Sequence, residues 1–182
     1  MKIKRMKNKT YVQALFLLLK IILLNLITRI KAENDFTSEI KLVIQGQGIQ
    51  YLLYQEFGIR PSDILVNGIS VNSIYYDLNE ASNDIILRFN ETITSCYRMF
   101  YSLSNIKKVN LSNFDFSNTI NLTSMFQGCS KLTSVTFGNA NTSLVESMDY
   151  LFKNCYYLYY VNLSKLDFSQ VSDIGYMFNV RV

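Results

Sequence analysis

The stretch Met125-Phe126-Gln127-Gly128-Cys129-Ser130-Lys131-Leu132, continued by Val135 and Phe137, returns one period later as Leu151-Phe152-Lys153-Asn154-Cys155-Tyr156-Tyr157-Leu158, Val161 and Leu163. The interval is 26 residues, and it extends in both directions. Phe100, Phe126, Phe152 and Phe178 share one phase, Ile106, Leu132 and Leu158 a second, Val109, Val135 and Val161 a third, and Ser117, Ser143 and Ser169 a fourth. A fixed period of this length means one supersecondary unit packed against copies of itself, so the repeat decides the fold ahead of local propensity.

Within each unit the pattern divides in two. Ile106, Val109, Leu111 and Phe114 combine a three-residue step with alternation, which predicts a short strand with one apolar face; Leu132, Val135, Phe137 and Ala140 follow in the second unit, and Leu158, Val161, Leu163 and Leu166 in the third. Strands this short need parallel neighbours from the adjoining units. Leu122, Met125, Phe126 and Cys129, like Met148, Leu151, Phe152 and Cys155, are spaced i, i+3, i+4, i+7, which predicts a two-turn helix face. Ser143-x-x-Glu146 has the form of a capping box for the second helix, and Gly128 and Asn154 are residue types that tolerate a left-handed helix end. The expected fold class is therefore α/β: a repeat solenoid with a parallel sheet and short helices.

Upstream, Ile85, Leu87 and Phe89 followed by Cys96, Met99 and Phe100 make residues 83–98 a degenerate leading repeat, ahead of repeats 99–124, 125–150 and 151–176 and a partial repeat 177–182. Residues 33–82 alternate differently and read as a β-rich N-terminal cap, with a hairpin turning at Gly46-Gln47-Gly48 and a short strand around Asn67-Gly68. With only a fragment of a fourth unit, the last coil is expected to expose its sheet edge.

Residues 1–32 read as a signal peptide. Lys2, Lys4, Arg5, Lys7 and Lys9 precede an apolar run from Ala14 to Ile27 interrupted by Lys20 and Asn25, and cleavage is expected after Ala32; the other reading is an uncleaved signal anchor. Eight of the eighteen Lys and Arg and none of the fourteen acids lie in this leader, so the remainder carries ten bases against fourteen acids, a net of −4. That balance argues against a nucleic-acid partner. Export makes Asn90, Asn110, Asn121, Asn141 and Asn162, each opening an Asn-x-Ser/Thr triplet, candidate N-glycosylation acceptors.

The chain has no histidine, which removes Ser/His/Asp and Cys/His nucleophile pairs together with the commonest metal ligand. Asp115 and Asp167 are copies of one repeat position, which accounts for them structurally. Three cysteines are too few for a disulfide framework; Cys129 and Cys155, one repeat apart, read as two buried thiols, with a bridge between them as the other reading, and Cys96 reads as core. No catalytic, cofactor-binding or metal-binding residue is assigned, and no enzymatic activity is expected.

The unit Met-Phe-x-x-Cys-x-x-Leu-x-x-Val-x-Leu-x-x-Phe-Asp-x-Ser, carried by Met125 to Leu132 and by Val161-Asn162-Leu163-Ser164-Lys165-Leu166-Asp167-Phe168-Ser169, resembles the BspA-type leucine-rich repeat surface proteins over about residues 96–182. Leu103 replaces the cysteine in the first unit, and Ala140 and Asn141 replace the Phe-Asp pair in the second. The resemblance implies a leucine-rich-repeat solenoid, secreted or held at the cell surface, that serves attachment or recognition. The outward strand positions are then the partner-binding candidates: Lys108, Asn110, Thr136, Tyr160 and Asn162, with Tyr159 from the tyrosine-rich stretch before the third strand, facing an extracellular protein or glycan. Two alternatives stand beside this reading: a matrix protein that assembles through its open C-terminal edge, and a shortened, inactive copy of a longer protein.

Overall fold

The computed structural model describes residues 15–25 and 36–179 and divides the chain into two units, residues 1–36 and 37–182. In the first unit, residues 15–25 form a helix. No helix among the described residues is long and apolar enough to cross a membrane. The expected cleavage point after Ala32, and residues 180–182 of the partial repeat, lie outside the described residues.

The second unit corrects the expected α/β solenoid: it is built from strands and turns, and the sheet is mixed rather than parallel. Nine strands run in chain order: β1 (Ser38–Gln45), β2 (Gly48–Tyr51), β3 (Asp63–Val66), β4 (Ile69–Val71), β5 (Tyr75–Leu78), β6 (Ser82–Phe89), β7 (Ile106–Asn113), β8 (Ser134–Thr136) and β9 (Tyr160–Val161). Seven form one sheet in the order β4-β3-β6-β1-β7-β8-β9, and β2 and β5 pair separately. Among the described strands only β7, β8 and β9, the repeat strands, pair in parallel; every other strand pair is antiparallel. The hairpin expected at Gly46-Gln47-Gly48 does not form a ladder, because β1 leaves β2 and inserts between β6 and β7. The strand of the leading repeat, β6, is thereby separated from the first full repeat. Asn67 and Gly68, with φ of 50° and 82°, do close a two-residue hairpin between β3 and β4, since both central positions of such a turn need a left-handed backbone.

One face of the sheet is apolar. Ile40, Leu42 and Ile44 of β1, Ile85, Leu87 and Phe89 of β6, Ile64 and Val66 of β3, Ile106, Val109 and Leu111 of β7 and Val135 of β8 are all buried. The three-residue step from Ile106 to Val109 is a bulge: Ile44 pairs with Ile106 and Val43 with Lys108, so Lys107 is the extra residue that lets both apolar neighbours point inward.

The layer that covers this face holds the residues expected to be helical, and it contains no helix. In an α-helix each N–H bonds four residues back. Here Leu122, Ser124, Phe126 and Gly128 donate sideways to the carbonyls of Ser147, Asp149, Leu151 and Lys153 in the next repeat, while Met125, Gln127 and Cys129 between them donate three residues back to Leu122, Ser124 and Phe126. The same alternation runs from Cys96 to Leu103 and from Met148 to Cys155. Each repeat therefore makes a run of tight turns, and a left-handed residue recurs at Arg98, Ser124, Tyr150 and Tyr176 and again at Ser102, Gly128 and Asn154, the third positions of four-residue turns that demand positive φ. Burial spacing alone does not distinguish this run from a helix, since Leu122, Met125, Phe126 and Cys129 are all buried as a helix face would be. The capping box is corrected with the helix: Ser143 Oγ donates to Asn141 Oδ1 at 2.8 Å, and the turns are entered four residues later, where Ser95, Asn121, Ser147 and Asp173 accept the N–H two residues on.

Stacking fills the space between sheet and turns. The rings of Phe100, Phe126 and Phe152 lie face to face at 5.5 Å with interplanar angles of 9° and 2°, and Phe178 continues the column at 5.4 Å. The cysteines are free and buried; Cys129 and Cys155 direct Sγ at the carbonyls of Phe100 and Phe126, each at 3.0 Å, and burial pushes the Cys155 thiol up to about 12. Neighbouring repeats also approach closely at Gly138, whose φ is 64° and where a Cβ would stand 2.8 Å from Ser112 Cα.

Two stability measurements follow from this packing. Phe126→Ala, which empties the centre of the ring column, is expected to cost about 3–5 kcal/mol, whereas Lys108→Ala on the open face stays within about 0.5 kcal/mol; equal urea midpoints for the two variants would refute the assignment of inward and outward positions. Gly138→Ala combines backbone strain with a clash against Ser112 and is expected to lose about 1–3 kcal/mol. Gly58→Ala, which has open space and an ordinary backbone, serves as the control and stays near wild type.

Candidate functional site

The opposite face of the sheet is open, and its registers align side chains from five strands into two rows. Asp84 pairs with Val43, Val43 with Lys108, Lys108 with Ser134 and Ser134 with Tyr160, so β6, β1, β7, β8 and β9 each contribute one residue to the first row. Ile86, Lys41, Asn110 and Thr136 form the second. Paired strands lie about 4.8 Å apart, so neighbours in a row sit close enough to touch one ligand together. A depression of about 430 Å³ lies among Lys41, Val43, Asp84, Ile86, Lys108 and Thr136, with Asn110 and Ser134 between the last two. A smaller one of about 130 Å³ lies among Thr136, Tyr160, Asn162 and Lys165. Thr136 lines both, so the two depressions adjoin there and are together called the trough.

Charges on this face are unevenly compensated. Arg88 bonds Glu39 through Nε at 2.9 Å and Asp63 through Nη1 at 3.2 Å, and Lys41 Nζ stands 3.3 Å from the same Glu39. Burial alone would raise the Glu39 carboxyl; Arg88 and Lys41 outweigh it and hold Glu39 below its ordinary value. Among the described residues Lys108 and Lys165 have no carboxylate at ion-pair distance. Asn110 and Asn162 are both exposed, and each uses Oδ1 to accept a backbone N–H, from Ser112 and Ser164 respectively, at 2.9 Å. That contact fixes the amide orientation, since only the oxygen can accept, and leaves Nδ2 as the free donor.

The partner-binding candidates read from the sequence divide accordingly. Lys108, Asn110, Thr136, Tyr160 and Asn162 stand together along the trough. Tyr159 does not join them: it is 79% exposed, precedes β9 and lines neither depression. Lys41, Val43 and Ile86 complete the trough; nothing in the repeat marks them, since a hairpin at Gly46-Gln47-Gly48 would place the strand of Lys41 and Val43 beside β2 rather than between β6 and β7. Lys165 has no outward signature in the repeat either. Of the candidate glycosylation asparagines, Asn90, Asn110, Asn141 and Asn162 are exposed, while Asn121 is half-buried in the column that bridges Ser95 and Ser147. Asp115 and Asp167 form backbone turns, accepting the N–H of Ser117 at 2.9 Å and of Ser169 at 2.8 Å. The Ser169 N–H, and then its hydroxyl, hold the Asp167 carboxyl below its ordinary value. Among the described residues no three His, Cys, Asp or Glu side chains gather as a metal site would require.

Residues 70–181, more than half of the chain, match the family described as Mycoplasma protein of unknown function, DUF285, and the chain belongs to that family. The matched stretch starts in β4 and runs through the repeats. No curated protein and no solved structure matches the chain.

Proposed function

We propose that this member of the family is a secreted or surface-held interaction module, not an enzyme, which uses the open face of its seven-stranded sheet to bind an extracellular protein or glycan. The observation that carries this reading is the trough itself: side chains of β6, β1, β7, β8 and β9 converge on a surface where most of them have no structural task. Short hydroxyl and amide side chains with an exposed tyrosine at one end make the kind of adaptable polar surface that recognition sites use. Export is supported by the basic and then apolar character of residues 1–32. The resemblance of the repeat to the BspA-type surface proteins points the same way. The absence of histidine from the whole chain fits a binding role better than acid–base chemistry at neutral pH.

The triple variant Lys108→Ala/Thr136→Ala/Tyr160→Ala tests the face. On arrays of extracellular proteins and glycans, the wild-type chain and Lys153→Ala, altered in the turn layer, are expected to bind the same targets, and the triple variant is expected to lose them. Retention of every target by the triple variant, or the lack of any target for the wild type, would overturn the proposal. Export is read separately from the intact mass of protein in the culture medium, expected to begin at residue 33.

A further inference from the structure

The geometry of the trough points to an acidic glycan as its ligand: a saccharide chain whose uronate or sulfate groups meet Lys108 and Lys165. This inference rests on the open sheet face being the binding surface, and it narrows the partner from protein or glycan to one class. Three observations lead to it.

The first is the sign of the charge. Beyond the leader the chain is acidic overall, with ten bases against fourteen acids. On the open face, however, Glu39 and Asp63 are taken up by Arg88 and Lys41, whereas Lys108 and Lys165 are left to the trough. Two unpaired lysines on an acidic body, against the single carboxylate of Asp84 in the depression that Lys108 lines, favour an anion as ligand.

The second is the polarity of the hydrogen-bonding groups. Asn110 and Asn162 each commit one lone pair of Oδ1 to the N–H of Ser112 and Ser164, which turns both Nδ2 donors outward and leaves one lone pair on each oxygen. Lys41, Lys108 and Lys165 are donors by nature, and the Ser134 and Thr136 hydroxyls rotate to donate. The backbone beneath is paired within the sheet between β7 and its neighbours β1 and β8. A peptide brings an N–H donor with almost every residue and needs acceptors in return; this surface offers them mainly through hydroxyls, whereas its lysines and outward amide N–H groups only donate. Carboxylates and sulfates only accept, and sugar hydroxyls and ring oxygens accept as well, so an acidic saccharide satisfies the donors without leaving groups of its own unpaired.

The third is shape. Serine, threonine and asparagine keep the rim of the trough low where its two depressions adjoin at Thr136. The lining of the larger depression is mainly apolar, with the half-buried Val43 and Ile86 at its floor, but it holds no aromatic side chain. A protein partner draws most of its affinity from anchors seated in deep pockets, whereas this depression is open and its rim is polar. Tyr160, 55% exposed at the end of the first row, offers instead a flat ring against which a sugar face can lie. Asp84 lines the same depression as Lys108, two strands away through Val43, and opposes an anion on that side.

The test uses the full chain produced without N-glycosylation, since a glycan on Asn110 would occupy the same surface. Because residues 1–32 carry eight basic residues of their own, the readout is the difference between variants rather than binding alone. Titrations are run with hyaluronan, which is carboxylated, chondroitin sulfate, which is carboxylated and sulfated, neutral dextran and poly-glutamate. Hyaluronan or chondroitin sulfate is expected to bind, with Lys108→Ala weakening it roughly fivefold, the upper end for one exposed ion pair. Lys108→Glu weakens it further, Asp84→Asn strengthens it, and the Lys108 effect shrinks in high salt. Binding of hyaluronan assigns the contact to carboxylate; binding of chondroitin sulfate alone assigns it to sulfate. Unchanged binding in both Lys108 variants overturns the inference, with the leader as the source of any affinity. Neutral dextran or poly-glutamate showing the Lys108 dependence that the acidic glycans lack also overturns it, while leaving the face as a binding surface. Melting curves of the variants matching wild type confirm that the sheet is intact.

Discussion

The hydrogen bond from the N–H of one residue to the C=O twenty-five positions further on holds this molecule together. It recurs at every second residue of the turn layer, from Cys96 to Asn121 through to Asn154 to Asn179, and it joins each repeat to the next on the side of the molecule where there is no sheet. Those bonds dictate the left-handed residues, because a chain that must present alternate N–H groups sideways has to reverse its course every few residues. Arg98, Ser124, Tyr150 and Tyr176 pay with strain of about 1–2 kcal/mol each for a conformation that glycine would adopt freely. The phenylalanine column and the buried thiols follow from the same constraint, since one backbone path repeated at one spacing places identical side chains directly over one another.

The open face depends on that arrangement in turn. The sheet needs only one layer to cover it, and the turns supply that layer, so the other surface remains free of packing obligations. β1 then widens it. By inserting between β6 and β7, β1 brings Lys41 and Val43 next to Lys108 and Asn110, and it turns a three-strand parallel patch into a seven-strand surface. The salt-bridged cluster of Arg88, Glu39, Lys41 and Asp63 ties β6, β1 and β3 together on that surface, which leaves the cations of the repeat side to face solvent.

The period and the inward residues were legible in the sequence because both are local consequences of repetition: Val109, Val135 and Phe126 are buried where their phase puts them. The helix was not legible, because a run of turns buries residues at the same i, i+3, i+4, i+7 spacing, and the left-handed positions are filled by Arg, Ser and Tyr, which carry no compositional mark of that backbone. Gly128 and Asn154 did show it. The strand order was hidden for a different reason. Gly46 and Gly48 both have positive φ, as a hairpin would require, yet β1 finds more apolar surface between Ile85, Leu87 and Phe89 on one side and Val109 and Leu111 on the other than β2 offers. That is a long-range contest which no window of sequence contains. Half of the trough was legible with the repeat, through Lys108, Asn110, Thr136, Tyr160 and Asn162, and the half contributed by β1 and β6 was hidden with the topology.

The sideways bonds have a further consequence at the level of the gene. Each repeat contacts its neighbours through the same atoms in the same register, from the Ser95, Asn121, Ser147 and Asp173 bridges to the stacked rings. Duplication or loss of one whole 26-residue unit by recombination therefore preserves every contact between the units that remain, whereas insertion of a single codon within a unit throws the carbonyls and rings out of line with the next. Such a protein can lengthen or shorten its outward face by whole strands while its core stays unchanged. Its open face can vary in extent without passing through an unfolded intermediate sequence.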